Sequence, residues 1–177
     1  MQKYFITGKG IDGMRKVVAE KLTRDAFAQF GSFYDFSEPD GYPMVGTAEK
    51  FYPDRLVEFI NGKAGFSGIT VKKVDRIVIE KIEYHTTSSE IMMPLNDDMV
   101  FHVAPITNGK VVPELTHAFI VPKNTLIKFN AGVWHMCPFP VHVDELKALI
   151  VLPAGIYMND CRVVELSEDE KFEIIIP

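Results

Sequence analysis

Ile77-Val78-Ile79-Glu80-Lys81-Ile82-Glu83-Tyr84-His85-Thr86-Thr87-Ser88-Ser89-Glu90 is the stretch on which the reading of this chain turns. Up to His85 it is rich in β-branched residues at period-2 spacing, which predicts a strand over 76–85. Successive side chains on a strand point to opposite faces, so Ile77, Ile79, Lys81, Glu83 and His85 are expected on one side. A face that begins apolar and ends in a carboxylate and an imidazole describes a strand running from a core to the mouth of a pocket. Glu90 comes after a short Thr/Ser turn and opens the next apolar run, Ile91-Met92-Met93. A second imidazole arrives much later, in Asn130-Ala131-Gly132-Val133-Trp134-His135. Two carboxylates and two imidazoles on antiparallel strands form a set able to hold one divalent metal ion.

On either side of this stretch, from Phe51 onward, the texture is short apolar runs with turns about every ten residues. Strands are expected at 55–60, 68–73, 76–85, 90–95, 98–104, 116–121, 125–129, 146–152, 161–165 and 172–176. Turn signals such as Thr107-Asn108-Gly109, Asn130-Ala131-Gly132 and Pro153-Ala154-Gly155 separate them. Toward the N-terminus, Val17 to Leu22 reads as a strand. Thr23 is expected to cap a brief helix through Phe30, stopped by Gly31. Residues 1–16 are glycine-punctuated and read as an arm that adds a strand to the barrel edge or to a partner subunit. Ser37 to Gly46, with two prolines and two glycines, reads as a loop. Many short strands with one helix predict an all-β barrel or double-sheet jelly roll. The 177 residues fit one domain, with an N-terminal arm and helix over 1–35 and the barrel over about 50–177.

Composition narrows the class. Hydrophobic residues make up 47%, which excludes a disordered chain, and a net charge of −5 argues against nucleic acid as a partner. No apolar run approaches the roughly 20 residues of a membrane helix, and the N-terminus lacks the apolar segment of a signal peptide. Cys137 and Cys161 stand alone, outside any CxxC pattern, which is expected of reduced thiols in a cytoplasmic protein. They read as small buried hydrophobes, and His117 and His142 as surface residues.

The two polar stretches together resemble the paired motifs of the cupins, small β-barrels. In those, His-x-His is followed three or four residues later by Glu, and Pro-x-Gly-x-x-His comes further on. Here Glu83-x-His85 is followed by Glu90, and Asn130-x-Gly132-x-x-His135 comes later, with Glu83 in place of the first histidine and Asn130 in place of the proline. Glu-x-His, a polar turn, an acid, a proline four residues on, and later Gly-x-Trp-His is similar to the ureidoglycolate lyase family. Ala26-Phe27-Ala28-Gln29-Phe30-Gly31, Ala118-Phe119-Ile120 and Asn159-Asp160-Cys161 agree with that family, so the resemblance runs from about Leu22 to Ile174 with a poor match between 35 and 75. Departures fall at Glu90, where some members carry Gln, at Met136-Cys137-Pro138, and at Asn130 and Ala131.

The resemblance implies a cupin-type double-stranded β-helix barrel with a short N-terminal helix. It also implies a lyase that splits ureidoglycolate into glyoxylate and urea with a divalent metal. Imidazole and carboxylate donors suit Ni, Mn, Fe or Zn. His85, Glu90 and His135 are assigned to the ion, with Glu83 as a fourth ligand or the general base. Lys81, on the same face, is expected to pair with the carboxylate of a small substrate. Trp134, His102 and Asn130 are expected around the substrate pocket. A homodimer is expected by analogy, since cupins commonly pair through their barrel edges. Two other readings remain: a cupin enzyme for another small hydroxy acid, keto acid or sugar, and a non-catalytic cupin that binds a small ligand.

Overall fold

A computed structural model describes residues 13–58 and 60–177. The expected arm over 1–16 therefore lies outside the described residues as far as Asp12. The first strand, Arg15–Val18, pairs in parallel with Phe172–Ile175, and Ile77–Ile79 completes a three-stranded outer sheet. The other two main sheets face each other as a cupin-type jelly roll. One has five strands in the order Gly31–Asp35, Thr125–Phe129, Glu90–Pro94, Glu145–Pro153 and Ala64–Lys72. The other runs Arg162–Glu165, Lys81–Tyr84, Trp134–His135, Met99–Ala104, His117–Val121 and Glu20–Lys21, with Phe139–Pro140 attached to Met99–Ala104.

Met99–Ala104 shows how the layers form. All six of its residues are buried, because it has a core on each side. Met99, Phe101 and Val103 point into the barrel, against Phe119, Ile127, Phe129 and Leu146. Val100 and Ala104 point the other way, into a second core with Ile77, Ile79, Trp134, Phe172 and Ile174 beneath the outer sheet. A strand buried on both faces reads as a continuous apolar run.

The expected strand over 76–85 is two strands. Glu80 interrupts it and carries the chain from the outer sheet, Ile77–Ile79, to the barrel wall, Lys81–Tyr84. The break shifts the alternation by one residue, so Ile82 joins Ile77 and Ile79 in the outer core while Glu83 turns to the barrel interior. The strand expected over 55–60 does not form in the described part of that segment. A turn with Asp54 in the left-handed region, φ 52°, precedes it, and Glu58 is held by Lys128 across 3.0 Å. Conversely, the segment read as a loop over 37–46 contains Met44–Val45, which forms a small hairpin with Lys50–Phe51.

The N-terminal helix is shorter than expected, Arg24–Phe27, although Thr23 does cap it by accepting from the Ala26 amide at 3.3 Å. Gly31 does not end that helix in a left-handed turn. It begins a strand laid so closely on its neighbour that an added Cβ would meet the Lys128 carbonyl oxygen at 1.9 Å. Among the described residues no helix is long and apolar enough to cross a membrane.

Candidate active site

The interior residues of the barrel wall converge at one end of the cup. His85 comes directly after Lys81–Tyr84, Glu90 opens the next strand of the facing sheet, and His135 ends Trp134–His135. Register explains the meeting: His135 lies directly opposite Glu83, and Glu90 opposite Phe129. The turn before His135 is tied to His85 as well. Gly132, at φ 83°, donates its amide to the His85 carbonyl at 2.6 Å. Glycine suits that left-handed turn, which fixes the two motifs to each other through backbone.

His85 Nε2 lies 3.3 Å and His135 Nε2 3.2 Å from the same oxygen, Glu90 Oε2. Glu83 Oε1 stands 3.9 Å from His135 Nε2. His85, Glu90 and His135 are 2%, 4% and 2% exposed, so the cluster is sealed from solvent on its inner side. Each imidazole is anchored through its other nitrogen: His85 Nδ1 meets the Asp160 carbonyl at 2.7 Å and His135 Nδ1 the Val133 carbonyl at 2.9 Å. A carbonyl only accepts, so Nδ1 carries the proton and donates it, and the Nε2 lone pair faces the cup. Both Nε2 atoms are buried without a hydrogen-bond partner among the described residues. Burial, the largest influence, pulls the His85 pKa down, but Glu90, the Asp160 carbonyl and Glu83 outweigh it and leave the pKa raised. Burial likewise pushes Glu90 up, and the two imidazoles more than reverse it, leaving Glu90 below the ordinary carboxylate range.

Two buried imidazole lone pairs aimed at one carboxylate oxygen, each ring oriented by a backbone carbonyl, fit a divalent ion of the Mn–Zn series. The ligand atoms of His85, Glu90 and His135 all lie within 4.8 Å of one another. A pocket of about 240 Å³ opens beside them. Its polar side is Glu83, Glu90, His135 and Tyr157, and its apolar wall includes Ile69, Met92 and Ile150.

The remaining expected site residues lie elsewhere. Lys81 is exposed and paired at 2.7 Å with Glu165, its direct neighbour on the adjacent strand. Trp134 points to the outer core because the next residue, His135, points inward. Its ring stands 4.4 Å from Tyr84 and its Nε1 donates to Thr107 Oγ1 at 2.8 Å. His102 also faces the outer core, 5.2 Å from the Phe172 ring. Asn130 is half-buried in the turn, its carbonyl accepting from the Val133 amide and its amide donating to Phe30.

Three residues beside the cluster, all from one segment, were not assigned to the site from the sequence. Gly155 in the left-handed region, φ 82°, starts a single helical turn, Ile156–Asn159, that brings Tyr157 over the pocket. Burial, with Glu90 and Glu83 nearby, pushes its phenol up to about 12, so it stays protonated. Asp160 accepts from the amides and hydroxyls of both Thr86 and Thr87, at 2.6–2.9 Å, while its carbonyl holds His85. Cys161 Sγ donates to Glu83 Oε2 at 3.1 Å. The signal available was the Thr86-Thr87 pair directly after His85, two hydroxyl donors that need an acceptor from elsewhere in the chain.

The fold is that of a cupin, with His85, Glu90 and His135 clustered at one end of its barrel. The sequence profile of the ureidoglycolate lyase family matches residues 14–174, and the chain belongs to that family, a family of lyases. It is similar to the ureidoglycolate lyase of Chelativorans sp. strain BNC1, at 28% identity over 93% of this chain and 99% of that one. It is also similar to the ureidoglycolate lyase of Pseudomonas paraeruginosa strain PA7, at 28% identity over 89% and 95%. A more distant likeness, at 10% identity and TM-score 0.42, joins 80% of this chain to 84% of a dTDP sugar isomerase from Desulfovibrio desulfuricans G20.

Proposed function

We propose that this protein cleaves ureidoglycolate to glyoxylate and urea, with a divalent ion held by His85, Glu90 and His135. The observation that carries the reading is the convergence of two unpartnered, buried Nε2 atoms on Glu90, at 3.3 and 3.2 Å, beside a small pocket in a member of this family. When bound, such an ion supplies the positive charge that offsets the two glutamates and acidifies the substrate hydroxyl. Among the described residues no lysine or arginine lines the pocket, and Glu83 and Glu90 alone would repel a carboxylate substrate.

Glu83 is the general base of the proposal. It lies in the pocket wall, 16% exposed, with Oε1 3.9 Å from His135 Nε2. Its carboxylate takes the hydroxyl proton, the carbon–oxygen double bond forms, and the carbon–nitrogen bond breaks with its electron pair leaving on nitrogen. Protonated Glu83 then returns the proton to that nitrogen, so urea departs neutral and the enzyme regains its starting state. General acid–base work of this kind contributes roughly 10²–10⁴ in rate. Tyr157, protonated and lining the pocket, serves as the donor to a substrate oxygen.

The test is glyoxylate and urea release from ureidoglycolate by protein loaded in turn with Ni, Mn, Fe and Zn. Equimolar release that is lost in His135→Ala supports the reading. Metal uptake without release would sink the substrate assignment and leave another small hydroxy or keto acid for the same centre.

A further inference from the structure

A second group of potential ligands overlaps the first and uses the thiol that the lyase reading leaves idle. Cys161, Glu83 and His85 present a sulfur, a carboxylate oxygen and a ring nitrogen all within 4.8 Å of one another. They come from two adjacent strands, since Val163 lies opposite Glu83 and Arg162 opposite Tyr84, which brings Cys161 level with His85. The Cys161 thiol is already engaged with one partner of the set, donating to Glu83 Oε2 at 3.1 Å. His85 belongs to both groups: it is 2% exposed, and its Nε2, which faces Glu90 in the first, has no hydrogen-bond partner among the described residues.

The donor chemistry differs from that of the first set. Imidazole with carboxylate accommodates most first-row divalent ions, whereas adding a thiolate selects thiophilic ones. The local charge favours capture. Glu83 and Glu90 place two carboxylates beside the thiol, which draws a cation in. A bound cation would be held by the Cys161 thiolate with Glu83 and His85, the thiol proton passing to solvent.

We propose that Glu83, His85 and Cys161 form a second site, specific for a thiophilic divalent cation, and that sharing His85 makes its filling exclusive of the His85–Glu90–His135 set. The inference goes beyond the lyase reading and does not need it, because it rests on these three side chains alone. It makes the enzyme open to displacement of its working ion by a softer one, with Cys161 deciding the outcome.

Cadmium is the probe, titrated into the reduced protein while the sulfur-to-cadmium charge-transfer absorption in the ultraviolet is followed. The expected result is one band-forming ion per chain. The band persists in Cys137→Ser, which controls for the other thiol, and in His135→Ala, which dismantles only the first set. It is lost in Cys161→Ser, with cadmium affinity reduced at least about tenfold. Cys161→Ala, with circular dichroism on both variants, separates loss of a ligand from loss of the fold. Cadmium binding without the band, or a band unchanged in Cys161→Ser and Cys161→Ala, overturns the site. Failure to cleave ureidoglycolate leaves it standing, since the band is read on protein and cadmium only. A missing band in a protein that does cleave ureidoglycolate removes this site and not the lyase reading.

Discussion

Three histidines in this barrel are equally hidden from solvent, and they face opposite sides of the same wall. His85 and His135, each 2% exposed, line the cup, give Nδ1 to a backbone carbonyl and present Nε2 to Glu90. His102, at 0% exposure, lies on the outer side of the same wall, packed edge-on to Phe172, with neither ring nitrogen partnered among the described residues. Burial, assisted by the nearby His135, drives the His102 pKa down to about 3, so it is neutral and merely fills space. Burial therefore does not distinguish an imidazole that faces the cup from one that only packs. The direction of the side chain and the partner on its second nitrogen do.

The widest gap between the two kinds of histidine is expected in metal uptake. His85→Ala or His135→Ala should lower affinity for Ni, Mn, Fe or Zn by on the order of 100-fold or more, with lyase activity lost in step, whereas His102→Leu should leave both as they are. Titration calorimetry on the three variants decides it, and equal losses in all three would erase the contrast.

The next effect is on stability and its pH dependence. An unfolded His102 takes up a proton near pH 6.5, and the folded one refuses it down to about pH 3. The unfolded state thus binds more protons in that window, and this residue's contribution to stability falls as pH drops from 6.5 toward 3, by at most about 1.4 kcal/mol per pH unit. His102→Leu should flatten that slope, and should raise stability at pH 7.5 by about 1–3 kcal/mol by removing unpartnered polar atoms. Urea melts of variant and wild type between pH 7.5 and 4 measure both.

A carboxylate paired with a histidine away from the cup gives a case in which removing the buried polar group costs stability instead of adding it. Asp97 accepts from the amides of Val141, His142 and Val143 and pairs with His142 Nδ1 at 2.9 Å. Burial pushes its carboxyl up, but these donors outweigh it and hold the pKa at about 2. A depressed carboxyl contributes its stability above pH 3.8 and loses it as pH falls through 2. Asp97→Asn should therefore cost about 2 kcal/mol at neutral pH, with the difference from wild type closing in strong acid. Lys81→Ala should show the least, with no change in turnover or melting temperature, because its exposed pair with Glu165 lies outside the pocket.

Legibility tracked the range of the physics involved. Nine of the expected strands, 68–73, 76–85, 90–95, 98–104, 116–121, 125–129, 146–152, 161–165 and 172–176, correspond to strands in the fold, one of them split at Glu80. Apolar runs and turn residues act within a few positions, so the chain itself displays them. The meeting of His85, Glu90 and His135 was legible through a resemblance in spacing, not through any local force. Lys81 was placed at the pocket by unbroken alternation along 76–85, which the break at Glu80 undoes, and Trp134 and His102 were expected there although pleat turns their side chains to the outer core. Asp160 and Cys161 were read only as part of a family-like turn and Tyr157 not at all, because nothing near them in the chain records that a helical turn folds back over the cup.

Side-chain periodicity and donor chemistry, both readable along the chain, accounted for the strand texture, the capping threonine at 23 and the residue types of the metal-fitting cluster. Which face each strand turns inward was settled only by the folded sheets. A single-residue shift at Glu80 exchanges the two sides of a strand. Closure of the sheets also made Asp160 the residue that orients His85 and set Cys161 beside Glu83, because hydrogen bonds between segments more than 70 residues apart exist only once those segments have met.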